Sequence, residues 1–441
     1  MPKRLAIVGA GPGGLATARV FLANFPGIKI NLFESDYSVG GIWHYPEADN
    51  DHRVMYDHLE TNITKYLMRF SGFPFPDDVP LYPWRQNVYD YLISYYEKFI
   101  KPSQNFNVHL NSRVVELTKG DNEWTLVSRN TETNEETTLK FDFIVLANGH
   151  FSVPNVPVDK VPGLSEWIDH GAAVHSKVFK NCKFARDKTV VVVGNGSSGQ
   201  DIVNQLASVA KKVYRSVTDV KSDLIPDDFP TPDVVETVPK IESTDYARRT
   251  VKLQDGRILE NVDNLIYATG FYYSAPFLQG SIKAQLDRQT DKEQSTRFYN
   301  LWKQIIFVKD PTLAFSLLPQ SVVPFPLAES QAAIMVKVFS GQLKVPNQSD
   351  DELEPEFLAT LPNYHNLADL KDLDYYDELQ SILDQTGGEK DPFKPVKWTD
   401  KDKLNREKCV EDKKKRNIYL SKLSSDSRAQ KIPYILKQFD L

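Results

Sequence analysis

The sequence predicts an α/β fold organised around two parallel sheets. Two stretches predict it: LAIVGAGPGG at residues 5–14 and TVVVVGNGSSG at 189–199, each an apolar strand closed by G-x-G-x-x-G and followed by a helical pattern. A third feature agrees: FDFIVLANGH at 141–150 and NLIYATGF at 264–271 are both apolar strands running into glycine, one downstream of each turn. A strand, a glycine turn and a helix in that order form the phosphate-holding start of a dinucleotide-binding, Rossmann-like domain. Two such domains are therefore expected, the second inserted into the first. The outer domain is placed at 1–180 and 271–441, with a C-terminal helical tail, and the insert at 181–270.

The elements follow in order. Residues 5–8 are continuously apolar, as suits a strand covered on both faces. Helical alternation over 15–25 stops at Pro26-Gly27, and 29–34 reads as the second strand of a strand–helix–strand unit. Residues 87–100 read as a helix, 108–117 and 124–127 as strands, with a turn near Asn134. In the second unit the helix is expected over 199–210 and the next strand over 211–217. Beyond about residue 345 the text turns polar (SDDELEPE, TGGEKDPFKPVK, KKKR), and a helical tail wrapping the surface is expected.

In the first turn, Gly9 permits the tight bend, Gly11 lets the backbone approach a pyrophosphate and Gly14 lets helix and strand pack closely. The helix N-terminus then attracts phosphate charge. Glu34 stands 20 positions after Gly14, at the end of the next strand, where a carboxylate binds ribose hydroxyls. VGGIWHYP (39–46) follows; Gly41, Ile42 and Trp43 suit either a loop lying close to a flat ring system or a turn capped by a core Trp. In the second turn Gly194, Gly196 and Gly199 repeat the geometry, but the following strand ends near Arg215 rather than an acid. A cation there favours a 2′-phosphate, hence NADP over NAD, with Lys211 and Lys212 adding charge; a plain surface cation is the other reading.

At this point the chain resembles the flavin-containing monooxygenases, and among them the fungal members, over residues 1 to about 345. In that family the form GAGPGG, here with Pro12 and Gly13, belongs to FAD, and GNGSSG belongs to NADPH. The family's F-x-G-x-x-x-H-x-x-x-[FY] is matched by DHGAAVHSKVF: Gly171, His175 and Phe179 fit, and Asp169 replaces the first aromatic. LETN (59–62) resembles the segment that carries the family's active-site Asn, here Asn62, and YATGF (267–271) resembles its strand-end signature. The resemblance further implies that Val114 lies on the adenine side of FAD. It places Thr61 and Asn62 near the junction of flavin and nicotinamide, Ser197 and Ser198 on the NADPH pyrophosphate, and Gln331 in a helix that returns towards the flavin. His175 is expected to shape the NADPH side rather than transfer protons.

The activity implied is that of an NADPH- and O2-dependent monooxygenase. In the family a flavin C4a-hydroperoxide gives oxygen to a soft nucleophile, a thiol, sulfide or amine. Fungal resemblance points to glutathione, cysteine and cysteamine, and so to intracellular redox balance. Asn62 suits the shielding role because a neutral amide both donates and accepts. The alternative is a Baeyer–Villiger monooxygenase acting on ketones, a group that usually carries Trp where Phe179 stands. A disulfide reductase would need a redox Cys pair, and Cys182 and Cys409 are too far apart in sequence to suggest one. A non-catalytic NADPH sensor is disfavoured because both turns, Glu34 and Asn62 are intact.

Composition excludes other classes. Lys and Arg total 53 against 59 Asp and Glu, so the chain lacks the basic excess that nucleic acid requires. No cysteine spacing marks a metal site. No apolar run reaches the ~20 residues that span a bilayer, and the first strand begins too early to leave room for a signal peptide. A cytoplasmic protein is expected. Peripheral attachment to the endoplasmic reticulum stays open through KKKR (413–416), which is read as a solvated helix face, an anionic-membrane contact or a nuclear signal. The sequence fixes no oligomeric state.

Overall fold

The computed structural model describes residues 2–46, 53–220, 232–287, 296–353 and 364–437. Part of the expected insert (221–231) and part of the polar stretch (354–363) lie outside them. The chain divides into two compact units. One comprises Met1–His44, Ile63–Val153 and Tyr272–Lys408; the other comprises Tyr45–Asn62, Pro154–Phe271 and Cys409–Leu441.

In the first unit Arg4–Val8 lies inside a seven-stranded sheet, paired in parallel with Lys29–Phe33 on one side and Phe143–Leu146 on the other. Phe106–His109 and Leu313–Phe315 extend the parallel core, and Ile306–Phe307 and Leu301–Trp302 close one edge antiparallel. The unbroken apolar run has a simple cause. Successive side chains on a strand point to opposite faces. Leu5 and Ile7 enter one core, with Phe21 and Ala328, while Ala6 and Val8 enter another, with Trp124 and Phe315. The helix Pro12–Asn24 covers the first of these faces together with Pro324–Phe339.

Two expectations change here. The single strand expected over 108–117 is two: Phe106–His109 joins the main sheet, and Ser112–Lys119 opens an antiparallel sheet with Trp124–Asn130 and Glu136–Phe141. Asn111 adopts φ 50 between them and turns the chain. The polar stretch is not merely a surface wrap. Lys371–Gln385 buries Tyr375, Tyr376, Leu379 and Leu383, and packs on Pro324–Phe339.

The second unit is built on five parallel strands in the order Val235–Val238, Lys212–Ser216, Thr189–Val193, Asn264–Tyr267, Ala173–His175. Its central strand again divides its valines, Val191 to one core and Val190 and Val192 to the other. The helix after the turn is Ser197–Ala207, starting two residues before the expected position. This unit is wider than 181–270, because Ala173–His175 belongs to its sheet and the described residues of 45–62 and 409–437 group with it. Among the described residues no helix is long and apolar enough to cross a membrane.

Candidate functional site: two nucleotide cradles

The first cradle lies in the first unit, at the carboxyl end of Arg4–Val8. Gly9 has φ +102, and a Cβ there would stand 2.4 Å from the Ala147 carbonyl oxygen. Its N–H donates to the Phe33 carbonyl at 2.8 Å. A Cβ on Gly14 would stand 1.9 Å from the Gly9 oxygen, so helix and turn touch only because that carbon is missing. Gly13 abuts Ser316, whose Oγ would lie 2.7 Å from an added Cβ. Gly41 has φ +57 and faces Gly11, with only 2.8 Å between an added Cβ and the Gly11 Cα. Two backbones thus meet with no side chain between them, and the Gly40 N–H holds the Ala10 carbonyl at 2.9 Å.

The Glu34 carboxylate organises this cradle. One oxygen accepts the Ala10 N–H at 2.7 Å; the other accepts the Asp36 N–H at 3.0 Å and the Ser35 hydroxyl at 3.2 Å. Ile42 and Trp43 sit half-buried in the short turn Gly41–Trp43, and Trp43 packs against the core. Pro12 takes the first position of Pro12–Asn24, where its missing N–H costs nothing. No acidic residue stands in that first turn to repel an anion. Val114 is buried in Ser112–Lys119 opposite Ser128. Gln331 is fully buried; its Oε1 accepts the Leu317 N–H at 2.9 Å and its Nε2 donates to the Tyr375 hydroxyl at 3.2 Å. The Oε1 end of Gln331 therefore fixes the loop beside Gly13, and the Nε2 end ties it to the helix Lys371–Gln385.

The second cradle repeats these distances in the second unit. Gly194 has φ +111 and its added Cβ would lie 2.4 Å from the Ala268 oxygen; that of Gly199 would lie 2.3 Å from the Gly194 oxygen. A Cβ on Gly196 would meet no described atom within 4 Å. Ser197 and Ser198 open the helix, exposed and with no side-chain cap, so the first-turn N–H groups face outward. Arg215 is buried, in register with Thr237, and donates to that hydroxyl from Nε at 3.2 Å and Nη2 at 2.7 Å. No carboxylate among the described residues pairs with it, and burial lowers it to about 10. A buried guanidinium without a counter-ion is costly to keep, and an anionic ligand would compensate it. Each glycine turn thus fits a dinucleotide, and Arg215 fits one that carries an extra phosphate.

His175 is a neutral strut. Its Nδ1 accepts the Lys177 N–H at 3.0 Å, which leaves Nε2–H to donate to the Gly270 carbonyl at 3.0 Å, and burial lowers it to about 4. Phe179 packs edge-on against Tyr56 at 5.4 Å. Each thiol has its own polar neighbour. Cys182 Sγ lies 3.9 Å from Ser208 Oγ, and Cys409 donates to the Asn62 carbonyl at 3.8 Å; neither forms a disulfide.

Thr61 and Asn62 belong to the second unit, with the second turn rather than the first. Thr61 is buried, while Asn62 is exposed and its side-chain amide pairs with no described residue. The segment that carries them is held on two sides. Asp57 takes a bond from Gln205 of the turn's helix through its carbonyl, at 3.1 Å, and Tyr56 approaches Asp201 and Ser198 of that helix. Burial raises Asp201 to about 6. On the other side Glu60, 2% exposed, receives Arg416 and Lys413. These are the first and last residues of KKKR, so half of that basic run is turned towards Glu60. Lys414 and Lys415 point outward, Lys415 towards Glu411 at 3.0 Å. Sequence reasoning missed Glu60, Tyr56, Asp201 and this use of KKKR. The one available signal was helical spacing: 409, 413, 416 and 420 share a helix face that carries buried residues.

Comparison with known proteins identifies the family. The family described as flavin-binding monooxygenase-like matches residues 2–222 and 216–355. A thiol-specific monooxygenase of Saccharomyces cerevisiae is 46% identical over 437 residues, covering 98% of each chain. Flavin-containing monooxygenase FMO GS-OX-like 9 of Arabidopsis thaliana is 29% identical, covering 85% of each. The solved S-allyl-L-cysteine S-oxygenase of Allium sativum superposes with a TM-score of 0.78 at 24% identity, over 98% of this chain and 99% of that one, and shares its fold.

Proposed function

We propose that this chain, which belongs to the flavin-binding monooxygenase-like family and is an FAD- and NADPH-dependent oxidoreductase of that family, oxygenates small biological thiols. The observation that carries the substrate class is the 46% identity to the thiol-specific yeast relative, sustained over 98% of both chains. Cysteamine, cysteine and glutathione are the substrates proposed. The reaction balances as thiol, NADPH, a proton and O2 giving sulfenic acid, NADP and water; a second thiol then condenses with the sulfenic acid to a disulfide and water. Such turnover supports intracellular redox balance.

Bound FAD, reduced by NADPH, supplies the oxidising chemistry by activating dioxygen. The remaining work belongs to the chain. The turn Gly9, Gly11, Pro12, Gly13 and Gly14 presents helix N–H groups to the FAD pyrophosphate, and Glu34 positions that turn through Ala10 while facing the ribose. Gly41, Ile42 and Trp43 wall the flavin side, Val114 offers an apolar surface to the adenine, and Gln331 fixes the loop at Leu317. The turn Gly194, Gly196 and Gly199 with Ser197 and Ser198 takes the NADPH pyrophosphate, and Arg215 takes the 2′-phosphate. The Asn62 amide, which can both donate and accept, is the group we assign to shielding the reaction from water. Substrates are dissolved small molecules. Any peripheral membrane contact would rest on Lys414 and Lys415, and the inward turn of Lys413 and Arg416 favours a helix face in solvent.

The test compares NADPH and O2 consumption with cysteamine, a thioether and a cyclic ketone. Cysteamine should accelerate both and yield its disulfide in proportion. Lactone formation from the ketone, with no response to thiol, would overturn the reading in favour of ketone chemistry.

A further inference from the structure

Residues 60, 61 and 62 are each gripped by one face of the C-terminal helix, Asp400–Gln430. The Glu60 carboxylate accepts Arg416 Nε at 3.0 and 3.1 Å, a second guanidinium bond from Nη2, and Lys413 Nζ at 3.1 Å. The Thr61 carbonyl accepts Lys413 Nζ at 3.4 Å, and the Asn62 carbonyl accepts the Cys409 thiol at 3.8 Å. Positions 409, 413 and 416 are spaced four and three apart, so they share one helix face. The same helix is tied to the second glycine turn's helix: Asn417 Nδ2 donates to Gln200 Oε1 at 2.9 Å, and Arg428 caps the carbonyls of Ala207, at 3.3 Å, and Ala210. Arg416 also reaches the Lys437 carbonyl at 3.2 Å.

We propose that the Glu60–Arg416–Lys413 cluster positions Asn62 relative to the second nucleotide turn, making the C-terminal helix part of the catalytic framework. The inference rests on the role proposed above for Asn62. Its physical basis is directional. A side chain exposed at the end of a loop has no packing of its own to fix it, whereas a buried bidentate guanidinium–carboxylate pair admits one geometry. The ion pair fixes Glu60, Lys413 and Cys409 fix the next two carbonyls, and the Asn62 amide inherits their position. Arg416 and Lys413 are positioning residues and touch no reacting atom. Apolar replacement of a buried ion pair often preserves stability while discarding its orientation, so stability and positioning can be separated.

The decisive variant is Glu60→Met with Arg416→Met, beside Arg416→Lys and Lys413→Met. Two quantities are read: hydrogen exchange of the backbone amides of residues 58–63 in protein free of nucleotides, and the fraction of NADPH electrons released as hydrogen peroxide instead of appearing as disulfide. The double variant should melt with the parent, exchange those amides faster, and release about tenfold more peroxide per NADPH, the scale of a small misplacement of a reacting group. Arg416→Lys should recover part of the coupling. If the double variant fails to fold, Lys413→Met, whose lysine is 19% exposed, carries the test with a smaller change in the same direction. Parent-like exchange and parent-like coupling in a folded variant would overturn the inference. Failure of the parent itself to oxidise NADPH would overturn the proposed function, while the exchange measurement would still decide the positioning.

Discussion

Gly196 is a position where the fold and the ligand make opposite demands, and Gly196→Ala exploits this. At Gly199 an added Cβ would lie 2.3 Å from the Gly194 oxygen. The helix or turn must then shift, and such overpacking costs roughly 1–3 kcal/mol, partly offset by about 1 kcal/mol of helix propensity gained over Gly. At Gly196 the added Cβ meets no described atom within 4 Å, and the backbone, at φ −69 and ψ 178, suits any residue. The apo protein should therefore change by no more than about 0.5 kcal/mol, a small capping loss against a stiffer unfolded chain. The nucleotide does notice, because the methyl group occupies the space through which a pyrophosphate approaches the helix N–H groups. Losing one charge-assisted bond, about 1.5–3 kcal/mol, weakens NADPH binding by roughly 10- to 100-fold. Thermal melting without ligand, FAD retention and an NADPH titration of the same preparation decide the matter. An unchanged melt, full FAD and weak NADPH binding are expected from Gly196→Ala, and a lowered melt from Gly199→Ala. Parent-like NADPH affinity in Gly196→Ala would refute the assignment of this turn.

Three further outcomes are expected. Arg215→Met removes a buried cation that has no carboxylate partner among the described residues, so the ligand-free melt should hold or rise while preference for NADPH over NADH falls about tenfold or more; unchanged preference in steady-state kinetics would count against the 2′-phosphate contact. Asn62→Asp should lower disulfide formation and raise peroxide release while leaving the NADPH dissociation constant within about twofold; equal losses in both would argue against its role. Burial raises the folded Asp201 from 3.8 to about 6, so the folded state binds the extra proton and stability falls as pH rises through that window. The full effect is at most about 3 kcal/mol, reduced by the solvent contact the side chain keeps. Asp201→Asn should flatten the dependence in denaturant melts across that range, and an unchanged slope would mean that Asp201 titrates normally.

Both glycine turns were legible because their cause is local. Gly9 and Gly194 require positive φ, and Gly14 and Gly199 require a missing Cβ, so the motif itself carries the geometry. Glu34 and Arg215 followed from strand length alone. The central strands were legible too, since burial on both faces leaves no polar alternation. What stayed hidden depends on partners distant in sequence. A lone Asn111, which tolerates positive φ, is the one weak mark of the turn that splits 108–117 into strands of two sheets. Lys413 and Arg416 read as a basic surface run until Glu60, 353 and 356 positions upstream, is seen to pair with both. The segment Tyr45–Asn62 lies between stretches of the first unit in sequence yet packs in the second, and no local pattern distinguishes it.

In the proposed function one glycine turn holds FAD and the other holds the NADPH that reduces it. Anaerobic mixing of NADPH with the FAD-loaded protein, followed by flavin absorbance, tests this most directly. Rapid bleaching of the flavin by NADPH, much slower bleaching by NADH, and recovery of the colour on admitting oxygen are expected. A protein that takes up no FAD, or whose bound FAD stays oxidised under excess NADPH, would contradict it.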